Sequence, residues 1–163
     1  MKKVVLVILA CCSIGMAMNA VALEDYVGFS AGAVKSSENG VNNSSAGFTG
    51  LISARPNEYY GYEEQVGIFG KAGPFSLNAE GDFSVVGFLP LGDRGINLYG
   101  KAGVDAIYSS KNVFNTGFTY GAGVEYQHGK GAVRLGFQHF NVGKSPSLST
   151  KLIGVTFLVK LDK

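Results

Sequence analysis

Ile96-Asn97-Leu98-Tyr99-Gly100-Lys101-Ala102-Gly103-Val104-Asp105-Ala106-Ile107-Tyr108 alternates without a break. Ile96, Leu98, Gly100, Ala102, Val104, Ala106 and Tyr108 share one face; Asn97, Tyr99, Lys101, Gly103 and Asp105 share the other. Period two over such a length is the mark of a strand. The run of thirteen residues also exceeds the ~5–6 residues usual for soluble strands and suits a tilted crossing of a bilayer.

The same alternation extends outward in both directions. Downstream, Phe118, Tyr120, Ala122, Val124 and Tyr126 oppose Thr119, Gly121, Gly123, Glu125 and Gln127. Val133, Leu135 and Phe137 oppose Arg134, Gly136 and Gln138, and Ile153 to Leu161 repeats the pattern. Upstream, Phe83, Val85, Gly87 and Leu89 alternate with Asp82 and Ser84. A third strand spans about 59–70, and two weaker ones contain Val27 to Ala33 and Phe48 to Ala54. Eight antiparallel strands are expected, an even number that can close with no free edge.

The connections support closure. Lys35–Ser45, Ser109–Asn115 and Gly143–Ser149 read as polar loops. Arg55-Pro56-Asn57, Pro90 to Gly95, and Gly129-Lys130-Gly131 read as tight turns. Only Ala72-Gly73-Pro74 departs, being short where a long loop is expected. Long loops at one end and short turns at the other are the asymmetry of an outer-membrane barrel. On the apolar face, Phe48, Tyr108 and Phe118 would ring the loop end, and Tyr60, Tyr62 and Tyr126 the turn end. A soluble sandwich or lipocalin-like barrel is the competing fold, with the apolar face turned inside.

Composition agrees. Of 163 residues, 24 are glycine, which weakens any helical reading. The 8 Tyr and 11 Phe argue against disorder, and a net charge of +2 without a basic run argues against nucleic-acid binding. Residues 1–22 read as an export signal: Lys2-Lys3, the apolar Val4 to Ala10, and Ala20-Val21-Ala22 for cleavage. Gly15, Ser13 and Asn19 interrupt the apolar run, which disfavours a membrane anchor. Lipoprotein processing at Cys11 is a second reading, and the leucine before Ala10 matches it poorly. Removing 22 of the 163 residues leaves 141, the proposed barrel domain at 23–163. Both cysteines, Cys11 and Cys12, go with the signal, as do Lys2 and Lys3; 14 basic residues become 12, equal to the 12 acidic ones.

Several stretches resemble the OmpA-like transmembrane β-barrel family. Ser84-Val85-Val86-Gly87-Phe88-Leu89-Pro90-Leu91-Gly92-Asp93 followed by Ile96 to Gly103 is similar to its fourth strand, turn and fifth strand. Gly61-Tyr62-Glu63 with Gly70-Lys71, Gly123-Val124-Glu125-Tyr126, Arg134-Leu135-Gly136-Phe137-Gln138 and Leu152 to Phe157 resemble the third, sixth, seventh and last strands. The resemblance implies a small outer-membrane barrel without the peptidoglycan-binding domain frequent in the family. It also implies that Gly154, Phe157, Val159 and Leu161 form the C-terminal signal read by the barrel assembly machinery. Val86 stands where the family often carries a lumen lysine, and Lys163 stands where it often ends on an aromatic residue.

Strand parity points Glu63, Lys101, Asp105, Glu125 and Arg134, with Asp82, into the lumen. Charges in so narrow a barrel must pair, because desolvating one alone costs several kcal/mol. Glu64 would face lipid by strict alternation, unless a bulge sends both glutamates inward. No catalytic, cofactor or metal site is expected. His139-Phe140-Asn141 resembles a hydrolase His-x-Ser pair in position, but Asn141 is no nucleophile and no acid orients His139. His128 reads as a solvent-exposed turn residue. The expectation is a monomeric outer-membrane protein with a structural or surface-interaction role such as envelope integrity or adhesion, and with a plugged lumen. Its expected partners are outer-membrane lipid, the assembly machinery and a host or envelope partner at the loops. The alternatives are a small porin and a lipid-modifying enzyme.

Overall fold

The computed structural model describes residues 24–38, 41–70, 78–109, 114–142 and 148–162; the signal segment lies outside them. Eight strands, β1 (Glu24–Glu38), β2 (Val41–Arg55), β3 (Tyr60–Phe69), β4 (Asn78–Pro90), β5 (Ile96–Ser109), β6 (Phe114–His128), β7 (Gly131–Val142) and β8 (Leu148–Lys160), follow one another around a closed antiparallel barrel. The fold is thus the expected all-β, up-and-down barrel. Closure pairs β1 with β8, so that every strand has two neighbours.

Register fixes the shape. Successive pairs lead from Val27 to Ile52, Glu64, Phe83, Val104, Phe118, Asn141 and Ser149, and return to β1 at Ser37, ten residues above the start. With ~3.3 Å per residue and ~4.8 Å between strands, that shift tilts the strands by about 40° and gives a radius of roughly 8 Å. Such a barrel is wide enough only for its own side chains.

The alternation is inside out relative to a soluble barrel. Val27, Phe29, Phe48, Ile52, Ile68, Val104, Phe118, Leu135, Ile153 and Val159 are exposed on the outer wall. Glu63, Asp82, Ser84, Glu125, Thr119 and Arg134 are buried inside. This is the surface of a barrel bathed in lipid, and the soluble alternative is excluded by it. Tyr60 and Tyr126 are exposed at the turn end, and Phe48 and Phe118 toward the loop end.

The polar ends of the strands differ from the sequence reading. Lys35–Ser45 is mostly paired strand: Lys35 faces Ser44 and Glu38 faces Val41, which leaves only residues 39–40 between β1 and β2. Serine and asparagine supply no apolar contrast there, so the alternation is hidden. The same extension shortens the connections around Ser109–Asn115 and Gly143–Ser149 to 110–113 and 143–147. The third connection, by contrast, occupies 70–77, and Ala72-Gly73-Pro74 lies outside the described residues. At the turn end, β6 and β7 are joined through Gly129, whose φ of 58° suits a two-residue hairpin.

Successive positions in one row of the lumen wall are glycine. Gly123 faces Gly136, Gly136 faces Gly154, and Gly154 faces Gly32. Tyr99 faces Gly123 and lies over this groove; a Cβ at Gly136 would stand 2.2 Å from its Oη and 2.7 Å from the Ala122 carbonyl oxygen. Gly136→Val is therefore expected to cost about 1–3 kcal/mol by overpacking. Urea titration of the folded, unheated gel form measures it; an unchanged midpoint would contradict the packing of Tyr99 on this row.

Candidate functional site in the barrel lumen

The lumen is layered. Next to the turn end, Tyr26, Leu51, Ala132 and Leu158 form an apolar layer. Beside it stands an ion network centred on Glu125. Arg55 donates two hydrogen bonds to it, at 3.0 and 2.5 Å, a fork on a carboxylate. Arg134 donates from Nε at 2.7 Å and Asn97 from Nδ2 at 3.1 Å. The other arm of Arg134 donates to Glu63. Lys101 lies 3.7 Å from Glu63 and 3.8 Å from Asp82, and donates to Gln65 Oε1 at 3.2 Å. Gln138 donates to Asp82 and, at 3.0 Å, to Thr119.

The chain thus crosses the lumen with three cations (Arg55, Lys101, Arg134) alternating with three anions (Glu125, Glu63, Asp82). All six are essentially buried, Glu125 at 0% exposure. Aromatic faces back the guanidinium groups: Arg55 lies 4.5 Å from the Tyr26 ring and 4.2 Å from that of Phe88, and Arg134 5.0 Å from Tyr99.

Toward the loop end the composition changes. Glu80 and Asp105 are buried carboxylates with no ion pair or side-chain hydrogen bond among the described residues. Beyond Asp82, Val34, Phe69, Ile107, Phe140 and Leu152 form an apolar cluster, with Phe69 and Phe140 rings 5.4 Å apart. Beside the ion network lies a cavity of about 30 Å³ lined by residues including Glu63, Tyr99, Lys101, Arg134 and Thr156. That is room for one or two water molecules.

Glu63, Lys101, Glu125 and Arg134 meet in one network, joined by Asp82. Asp105 points inward, opposite Asp82, but stands outside the network, because Lys101 reaches only as far as Asp82 and Glu63. The sequence pattern puts Arg55 in a turn; in the structure it is the last residue of β2 and forks onto Glu125. Asn97, Gln65 and Gln138 are further members that parity alone does not single out, and Glu80 is a further inward carboxylate outside the network. Val86 is fully buried opposite Lys101.

The register runs through Glu63 and Glu64 without a bulge. Glu64 therefore sits on the outer wall between Ile52 and Phe83, and packing leaves it only 8% exposed. His139 is also outward, with its ring 4.9 Å from that of Tyr120 and Lys151 across from it. Phe157, Val159 and Leu161 are exposed on the outer wall, whereas Gly154 belongs to the inner glycine row. Among the described residues no group of acidic, histidine or cysteine side chains is placed to hold a metal ion.

Solved structures with the same architecture include several outer-membrane barrels of bacteria and a de novo designed transmembrane β-barrel. Neisserial surface protein A matches with a TM-score of 0.70 at 15% identity, over 84% of this chain and 97% of that one. The fold is that of a small outer-membrane β-barrel. Ail, the attachment invasion locus protein of Yersinia pestis, gives a TM-score of 0.56 at 14% identity, over 83% and 97% of the two chains. The N-terminal barrel domain of Pseudomonas aeruginosa OprF gives 0.57 at 13%, over 82% and 96%. No family model matches the chain, and no curated protein matches it. A closed outer-membrane barrel resists detergent until heated, so the unheated protein is expected to migrate apart from the boiled form on a gel; a single position under both conditions would contradict the closed barrel.

Proposed function

We propose that the chain is a structural and surface-interaction protein of the outer membrane, with a lumen closed to solutes and its loop end turned outward. The observation that carries this reading is the continuous crossing of the lumen by Arg55, Glu125, Arg134, Glu63 and Lys101, backed by the apolar cluster around Phe69 and Phe140. One neighbour is named for attachment and invasion, which is in keeping with contacts made at the loop end. His139 is aligned with Tyr120 and Lys151, and among the described residues its register partners include no carboxylate to orient the ring.

Planar-bilayer recording tests this reading against the porin. The folded protein is expected to insert without producing steady unitary conductance. Reproducible conductance steps that change in size when Lys101 is replaced by glutamine would establish a pore through the network and sink the proposal.

A further inference from the structure

Six lysine and arginine residues lie in the strands: Lys35, Arg55, Lys101, Arg134, Lys151 and Lys160. Arg55, Lys101 and Arg134 are buried in the lumen, and Lys160 pairs with Glu24 at the turn-end rim, 2.6 Å away. Lys35 and Lys151 are the two that point outward, and register places them directly opposite each other on β1 and β8. His139 follows on β7, opposite Lys151, and Tyr120 on β6, opposite His139. Both lysines are exposed, as is Tyr120.

Two like charges facing each other across a strand pair repel, at a Cβ separation of about 4.5–5.5 Å. Lys35 is followed on β2 by Ser44 and Tyr120 on β5 by Ala102; among the described residues the row meets a carboxylate only at Asp25, by way of Val85, Tyr62 and Ala54, ten residues below Lys35 on β1 and far toward the turn end. The outward carboxylate Glu64 belongs to a row that meets β1 at Val27, far toward the turn end. The row also lies at a boundary. Below it stand Ala33, Ile153 and Phe137, all apolar; above it stand Ser37, Ser149 and Asn141, all polar. With strands tilted about 40°, each step from Tyr120 toward Lys35 climbs ~3 Å, from the edge of the apolar band toward the headgroups.

We propose that Lys35, Lys151, His139 and Tyr120 form a site for a phosphomonoester on the headgroup of an outer-leaflet glycolipid. A phosphomonoester carries about −1.5 to −2 charges near neutral pH, which matches a pair of lysines better than the single charge of a phosphodiester does. His139 adds a third donor, and Tyr120 gives the sugar or upper acyl chain an aromatic surface at the interface. The placement of the row at the outer leaflet rests on the orientation proposed above.

The test is native mass spectrometry of the mature barrel in detergent, titrated with diphosphorylated lipid A, with the enzymatically dephosphorylated glycolipid and with phosphatidylglycerol. Diphosphorylated lipid is expected to bind most tightly, and Lys35→Gln with Lys151→Gln together to weaken it roughly 30-fold, five- to sixfold per lysine. Equal binding of the dephosphorylated lipid, or an unchanged affinity in the double variant, would overturn the site. Inorganic phosphate is the second arm: it is expected not to displace the lipid, and displacement would overturn the lipid assignment. Heat-modified gel mobility of each variant separates this outcome from failure of the barrel reading. A variant that keeps its unheated form and loses lipid upholds both; one that keeps its form and its lipid refutes the site alone.

Discussion

Arg134→Ala is expected to destabilise the barrel by about 3–5 kcal/mol, the cost of taking one partner from a buried ion pair. Arg134 is 2% exposed and bridges two carboxylates, donating from Nε to Glu125 and from a terminal nitrogen to Glu63. Its loss unbalances three cations against three anions. Glu125 retains the fork from Arg55, but Glu63 is left with Lys101 at 3.7 Å. The double change with Glu125→Ala is expected to cost less than the two single losses added together, by about 0.5–3 kcal/mol, because the link between them is counted twice in the sum. A second cycle with Glu63→Gln should couple in the same sense. The urea concentration at which the unheated gel form disappears reads both cycles. Strict additivity in the first would mean that Glu125 and Arg134 do not interact, and the plugged-lumen account would lose its main support.

These pairings also mark where sequence reading stops. Period two in Ile96–Tyr108 was enough to assign faces, because every apolar residue contrasts with its neighbours. It put Glu63, Lys101, Glu125 and Arg134 inside, since parity needs only the strand itself. Parity does not say which inward residues meet. Arg55 and Glu125 are 70 positions apart, on β2 and β6, and come together only when the barrel closes. Arg55 was hidden further by Pro56, which reads as a turn and draws its neighbour into it. Glu80 is hidden because Ala79 and Gly81 provide little contrast, so the legible alternation of β4 starts at Asp82 while the strand itself starts at Asn78. Lys35–Ser45 failed for the same reason at larger scale, although Val34, fully buried in the apolar cluster of the lumen, shows that the alternation continues there.

Phe157→Asp is expected to impair assembly of the barrel. Phe157 is 45% exposed on the outer wall of β8, and its ring stacks on Phe29 of β1 at 5.3 Å, across the seam where the first and last strands close. Two losses combine. An aromatic pair contributes about 0.5–1.5 kcal/mol beyond the area it covers. A charge on the lipid face near the middle of the bilayer costs up to ~2–4 kcal/mol, somewhat less for a carboxylate than for a lysine. The wall already carries Glu64, but that residue is packed to 8% exposure between Ile52 and Phe83, whereas an aspartate at position 157 would stand open to acyl chains. Thr156 on the same strand separates the two causes. It faces the lumen, where its Oγ1 lies 2.6 Å from Ser30 Oγ, so Thr156→Val tests seam packing without charging the lipid face. Outer-membrane levels of Phe157→Asp should fall severalfold, with Phe157→Leu close to wild type and Thr156→Val only slightly reduced. Normal levels of the aspartate variant, in the heat-modifiable form, would contradict both the lipid-facing assignment of Phe157 and its part in the C-terminal assembly signal.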